Sequence, residues 1–309
     1  MKFIALKTSG GSIKGKTAIL CRVLNVSRQG FYDHLAGSSR PWKYESLVTA
    51  MKDIISEDEC NDTYGRRRMY EALKLKKERN ELDCDLPSEG TVRKVMEKCG
   101  LIHKPRRKPN GITKADREAQ KADDLIKRDF SAQAPFEKCV TDITEIKAKA
   151  GKLYLSVIFD CYDLMAEGIA MADNMRKELC IQTVINAHGM YPEIKEAVIH
   201  SDRGSQYTSD EYKAVLKAYH IDQSMNSAGG RCHDNARCES MWARMKEELF
   251  YSRNRKSTDY TIDELKTMIW RYYMSYWNNR RICSANGGLP PAEKRRRFYQ
   301  NRSESENAA

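Results

Sequence analysis

The chain has 309 residues, 40% of them hydrophobic, and its 54 lysines and arginines against 43 aspartates and glutamates leave a net charge of +11. That length buries one substantial core with one or two satellites, and the charge favours a polyanionic partner, nucleic acid first, over an acidic protein. No run reaches the roughly 18 to 20 apolar residues of a spanning helix, Lys7, Lys14 and Lys16 interrupt any leader pattern, and the scattered cysteines include no Cys-x-x-Cys pair for zinc, so a reduced, cytoplasmic protein is expected.

Residues 14–36, KGKTAILCRVLNVSRQGFYDHLA, read as two short helices around a turn at Asn25, with Ser27 placed to cap the second. The outline fits any two-helix hairpin as well as a helix-turn-helix, and Arg28 and Gln29 at the second helix's start tilt it towards DNA. A second helical block covers 44–101, where GRRRMYEALKLKKE is one helix and SEGTVRKVMEKCGL another, capped by Ser88 and closed by Gly100. Its Arg66, Arg67 and Arg68 could form a solvated face, but three adjacent guanidiniums suit phosphate neutralisation better. From 103 the chain turns polar and basic, and Lys104, Arg106 and Arg107 in this linker fit a plain tether or a track for a DNA backbone equally well.

Beyond the linker the texture changes. Residues 138–146, 152–162 and 167–172 are short β-branched or alternating segments that fit three antiparallel strands. A helix over 177–190, a strand at 197–200, a helix over 209–219 and a strand at 221–225 then alternate, which indicates a mixed sheet covered by helices. Asp234 or Asn235 can cap a helix running to about Phe250, and 261–278 reads as a further helix. Its Trp270, Tyr272, Tyr273, Tyr276 and Trp277 favour core packing, with a role in oligomerisation as the second reading.

Three acids stand out. Asp142 falls mid-strand in KCVTDITEI, where an ionised carboxylate needs a cationic partner. Asp202 follows the fourth strand, at the end where open sheets commonly place ligands, and Glu239 lies in the helix DNARCESMWARMKEEL. Glu239 faces the sheet if Ala236, Trp242, Met245 and Leu249 form the buried side or its margin. Taken singly each is an ordinary surface acid; together they would make an oxygen-rich cage for magnesium or manganese. Two such ions about 3.5 to 4 Å apart promote in-line phosphoryl displacement without a covalent protein intermediate. Lys246, two helical turns after Glu239, shares its face, where it either meets DNA or pairs with a neighbouring glutamate.

The segments TDIT, HSDRGSQYTS, DNARCES and YWNNRR resemble the catalytic domain of retroviral-integrase-like DDE transposases, and more narrowly the second-frame product (OrfB) of two-frame bacterial insertion sequences. LNVSRQGFYDHL resembles that family's leading helix-turn-helix, and TYGRRRMYEAL with VRKVMEKCGL its second helical DNA-binding block, so the likeness spans almost the whole chain. It implies an α/β class, an RNase-H-like mixed sheet flanked by helices and preceded by all-α helix-turn-helix segments. The domains expected are a helix-turn-helix at 1–42, a second helical DNA-binding domain at 43–102, a basic linker at 103–134, a catalytic core at 135–255 and a helical extension at 256–309.

By the same resemblance, Asp142, Asp202 and Glu239 match the catalytic and metal-binding triad, holding two Mg2+ or Mn2+ ions. Lys246 matches a lysine that contacts the element end, and Arg203 and Arg244 join it as candidate DNA contacts. The implied activity is cleavage of insertion-sequence ends and strand transfer into a target duplex, through a strand-transferred or circular intermediate. Implied partners are DNA, a first-frame (OrfA-type) protein or fusion, and further copies of the chain on paired ends, with no membrane. The competing readings are a catalytically inactive DNA-binding regulator and a hydrolytic nuclease of the same fold. Three departures stand out: Cys139 where the family usually has tryptophan, Cys283 where histidine is common, and a spacing of 37 from Asp202 to Glu239, one longer than usual, with the extra residue in NSAGGR.

Overall fold

A computed structural model of the chain describes residues 1–9, 15–39, 42–103, 126, 129–225 and 236–307. Lys104, Arg106, Arg107, Asp234, Asn235 and the segment NSAGGR lie outside the described residues. The chain divides into two compact units, Met1–Thr49 and Ala50–Ala309.

In the first unit, α1 (Lys2–Thr8), α2 (Thr17–Val23) and α3 (Arg28–Ser39) surround a small core of Ile4, Cys21 and Phe31. Asn25, at φ 51°, turns the chain between α2 and α3, a left-handed conformation that asparagine tolerates better than most residues. Ser27 Oγ accepts the Gly30 N–H at 3.0 Å, the cap that the sequence announces for α3. The short helix α1 has no counterpart in the sequence reading.

In the second unit, α4 (Glu45–Glu57), most of which falls here, leads through a 3-10 turn to α5 (Arg66–Glu78) and α6 (Glu89–Lys98). Met69 and Leu73 of α5 and Val92 and Met96 of α6 are buried, and Ser88 caps α6 through the Thr91 N–H. From residue 50 onward this block lies in the same compact unit as the sheet. A polar seam shows why. Asn61 Oδ1 accepts the Tyr276 hydroxyl at 3.0 Å, Tyr64 Oη accepts the Ile282 N–H at 3.0 Å, and Asp58 accepts Arg271 at 2.7 Å.

The sheet comprises β1 (Lys138–Lys147), β2 (Lys152–Asp160), β3 (Ala166–Ala172), β4 (Val198–Ser201) and β5 (Asp222–Met225), in the order β3-β2-β1-β4-β5. The first three run antiparallel as a meander, while β4 lies parallel to β1 and β5 parallel to β4. That is the mixed sheet the sequence pattern suggests, in the RNase-H-like arrangement the family resemblance implies. Side-chain alternation along β2 separates two cores: Leu155, Val157 and Phe159 face one, Ile158 the other.

The Ile158 side packs under α7 (Lys177–Met190) and α9 (Asp210–Ala218), with the single turn α8 (Ser205–Thr208) between them. Helix α7 comes so close to β3 that a Cβ on Gly168 would lie 2.5 Å from the Thr183 carbonyl oxygen. The opposite face holds α10 (Ala236–Leu249) and α11 (Ile262–Trp270), which continues as a π-helical segment, Arg271–Trp277. The wider π turn brings adjacent pairs inward together, so Tyr272, Tyr273, Tyr276 and Trp277 are all buried, while Trp270 remains 52% exposed. The final helix α12 (Pro291–Asn307) is part of this unit too, and its Arg295 is buried among three acids of the β2–β3 region.

Candidate active site

The β1/β4 register sets the first two candidate acids side by side. Val140 pairs with His200, and two residues further on, Asp142 lies within β1 and Asp202 just past the end of β4. Asp142 shares the strand face of Val140, the face that α10 covers. Helix α10 presents Cys238, Met241, Trp242, Met245 and Leu249 to the core. Glu239 stands at the edge of that buried stripe and is exposed. Burial pushes the Asp142 carboxyl up to about 6; the Trp242 hydrogen bond works against this, and the charges of Asp202 and Glu239 add to it. Asp142 therefore lies within electrostatic reach of both Asp202 and Glu239.

Asp142 Oδ2 accepts the Trp242 indole N–H at 3.0 Å. Asp202 Oδ1 accepts the Gly204 N–H at 2.9 Å, which fixes that carboxylate at the mouth of the loop after β4. Lys246 Nζ donates to Thr144 Oγ1 at 3.0 Å and lies near the Glu145 carbonyl at 3.4 Å. Thr144 is on the Asp142 face of β1, one pleat further along. Burial pushes the Lys246 ammonium below its usual value, with Asp142 and Glu145 pulling it back up. The donor set is thus three carboxylates with an ammonium alongside, a composition that fits a hard divalent cation bound by oxygen.

The other predicted site residues are spread over the molecule. Arg203 directly follows Asp202. Arg244 is on the exposed side of α10, where the charged groups acting on it are Arg281, Glu248 and Arg68. Arg28 and Gln29 are exposed on α3 in the first unit. On α5, Arg66 and Arg67 are exposed and pair with Glu89 at 3.3 Å and Glu71 at 3.2 Å. Arg68 differs from both, because it turns inward onto Glu248 at 2.8 Å and the Thr63 carbonyl at 3.1 Å. Glu248 also accepts Arg281 at 2.6 Å and the Tyr272 hydroxyl at 2.8 Å. Burial alone would raise this carboxyl, yet Arg281 and Arg68 hold it down to about 2.

A second group of acids, Asp160, Asp163 and Glu167, is fully buried with its oxygens within 4.8 Å of one another. Arg295 already provides the cation there, at 2.9, 2.7 and 2.5 Å from the three. Two participants of the first site went unnoticed in the sequence. Trp242 counted only as core, and Thr144 was not considered; their signals were the three-residue step from Glu239 and the two-residue step from Asp142.

Residues 132–231 match the integrase core domain. InsK, the transposase assigned to insertion sequence element IS150 of Escherichia coli strain K12, is 31% identical over 287 residues, covering 92% of this chain and 94% of that protein. The probable transposase of insertion sequence element IS1353 from Shigella flexneri is 32% identical over 279 residues, 90% of this chain and 51% of that protein. Transposase InsF of insertion sequence IS3A from Escherichia coli strain K12 is 26% identical over 296 residues, 95% of this chain and 98% of that one. Among solved structures, the HTLV-2 integrase catalytic core domain in complex with magnesium aligns with a TM-score of 0.40 at 17% identity, covering 53% of this chain and 99% of that one.

Proposed function

The chain belongs to the insertion-sequence transposases that carry an integrase core domain, and from that premise we propose that Asp142, Asp202 and Glu239 are its catalytic carboxylates, cutting the ends of an insertion sequence and joining them to a target duplex. The observation that supports the reading is that the Asp142 carboxyl feels the charges of both Asp202, just past the neighbouring parallel strand, and Glu239 on α10. Magnesium or manganese is the expected cofactor, as a pair of ions. When bound, these ions neutralise the phosphate charge and promote an in-line displacement by a hydroxyl.

The chain's own residues supply position. Asp142 is built into the centre of the sheet, and Asp202 is tied to its own loop by the Gly204 amide. Lys246, fastened to Thr144, offers a cation one strand pleat from Asp142, where a phosphate of the element end would meet it. Arg203 and Arg244 are proposed as further DNA contacts, as are Lys104, Arg106 and Arg107, which lie outside the described residues. Arg66 and Arg67 on α5, and Arg28 and Gln29 on α3, are proposed to hold DNA away from the reacting phosphate. Arg68 is set apart as a structural cation. A first-frame protein or fusion completing end recognition, further copies on paired ends, and action in the cytoplasm complete the proposal.

The test is a strand-transfer assay on labelled element-end DNA with Mg2+ or Mn2+. Joined products from the intact protein and none from Glu239→Gln are expected. Cleavage without any joined product would favour a hydrolytic nuclease, and cleavage retained by Glu239→Gln would remove Glu239 from the site.

A further inference from the structure

Trp242 lies three residues after Glu239 on α10 and is 6% exposed. Its ring is held edge-on by Phe159 of β2, centroids 5.7 Å apart, and by Tyr273 of the π segment at 6.3 Å. An indole N–H donates and cannot accept, and this one donates to Asp142 Oδ2 at 3.0 Å. The bond occupies one carboxylate oxygen and brings no charge with it. Asp142 is thereby oriented by a neutral donor, unlike Asp160, Asp163 and Glu167, which share the charged Arg295.

We propose that Trp242 is a positioning residue that fixes the Asp142 carboxylate and the spacing of α10 from β1, and so sets the site's affinity for its divalent cation. The proposal rests on the reading of Asp142 and Glu239 as ligands. An aspartate's terminal torsion is broad and roughly two-fold, so a carboxylate pinned through Oδ2 loses less freedom when Oδ1 engages a cation. The same helix is fastened to β1 a second time, by Lys246 on Thr144. Two attachments along one strand face fix the register of α10, and with it the reach of Glu239. Partners that orient a ligand typically account for about 10- to 100-fold in metal affinity.

The experiment is a calorimetric titration of the full chain with Mn2+, together with the Mn2+ concentration that gives half-maximal strand transfer. Trp242→Phe keeps an aromatic ring and deletes the N–H. It should raise the Mn2+ dissociation constant and the half-maximal concentration by about tenfold. A benzothienylalanine at position 242 keeps the bicyclic shape and lacks the donor; it should reproduce the loss even if the phenylalanine variant packs poorly. Unchanged Mn2+ binding in both variants, with binding lost in Asp142→Asn, would overturn the role of Trp242 and leave the ligand assignment standing. Mn2+ binding retained by Asp142→Asn would sink the ligand assignment itself, and the proposal with it.

Discussion

Two groups of three carboxylates sit in one unit of this protein and have opposite fates. Asp160, Asp163 and Glu167 are sealed in the interior and share one guanidinium from α12. Asp142, Asp202 and Glu239 are partly open to solvent, and Asp142 is oriented by a neutral indole. By ligand spacing alone the sealed group looks the better metal site. What separates the two is the cation the fold provides. A buried acid cluster with its own arginine is a fastening, whereas Asp142, Asp202 and Glu239, as the proposed ligands, leave their charge to an external cation.

The sharpest break between the two groups is catalytic. Asp142→Asn and Asp202→Asn, like Glu239→Gln, should abolish cleavage and joining while DNA binding, measured by a gel shift, stays within about twofold, because the proposed metal ligands are distinct residues from the proposed phosphate contacts. Glu167→Gln should retain both activities. Loss of strand transfer in Glu167→Gln without loss of stability would collapse the distinction.

Next in size is the fastening. Arg295→Met leaves three buried acids without their cation, a change that costs about 3 to 5 kcal/mol. Melting of the variant should fall by about 10 °C; an unchanged Tm would mean that α12 is not fastened by this cluster.

The pH profile follows from the same cluster. Burial is the largest influence on Glu167 and carries its carboxyl from 4.5 to about 8 despite Arg295. Asp160 is raised to about 6 by burial and by Asp163. A raised folded-state value means that the folded protein holds the proton more tightly than the unfolded one. The stability from Glu167 is therefore complete below pH 4.5 and is lost as the pH rises towards about 8. Glu248 has the opposite sign: its stability is present above pH 4.5 and is lost as the pH falls towards about 2. Thermal melts from pH 5 to pH 8 should show declining Tm, with a shallower decline in Glu167→Gln; an identical slope in the variant would exclude Glu167 as its source.

The smallest effect concerns the ammonium beside the open group. Lys246→Ala should reduce joining several-fold and lower the slope of DNA affinity against salt by about one phosphate contact. A variant with wild-type salt dependence would place Lys246 in the packing of α10 against Thr144 alone.

Much of this was legible in the amino-acid order. The alternation in 138–146 and 152–162, the apolar stripe of α7 and the caps Ser27 and Ser88 are local signals, and local geometry was enough to read them. Asp142 attracted attention because a carboxylate in mid-strand needs a partner, whichever partner that proves to be. The three arginines at 66–68 were not separable in this way: Arg68 turns inward because Glu248, 180 positions later in the chain, is there to receive it.

The sequence by itself therefore determined the order of the strands and of most helices, the mixed sheet, and the three acids as candidates, since each depends on neighbours within a few residues. Only the tertiary structure decided that the second helical block and α12 join the core, that Arg295 satisfies one acid group, and that Trp242 reaches Asp142. Those outcomes depend on which distant donor meets which buried acceptor, and desolvation makes that pairing decisive without leaving any trace in local periodicity.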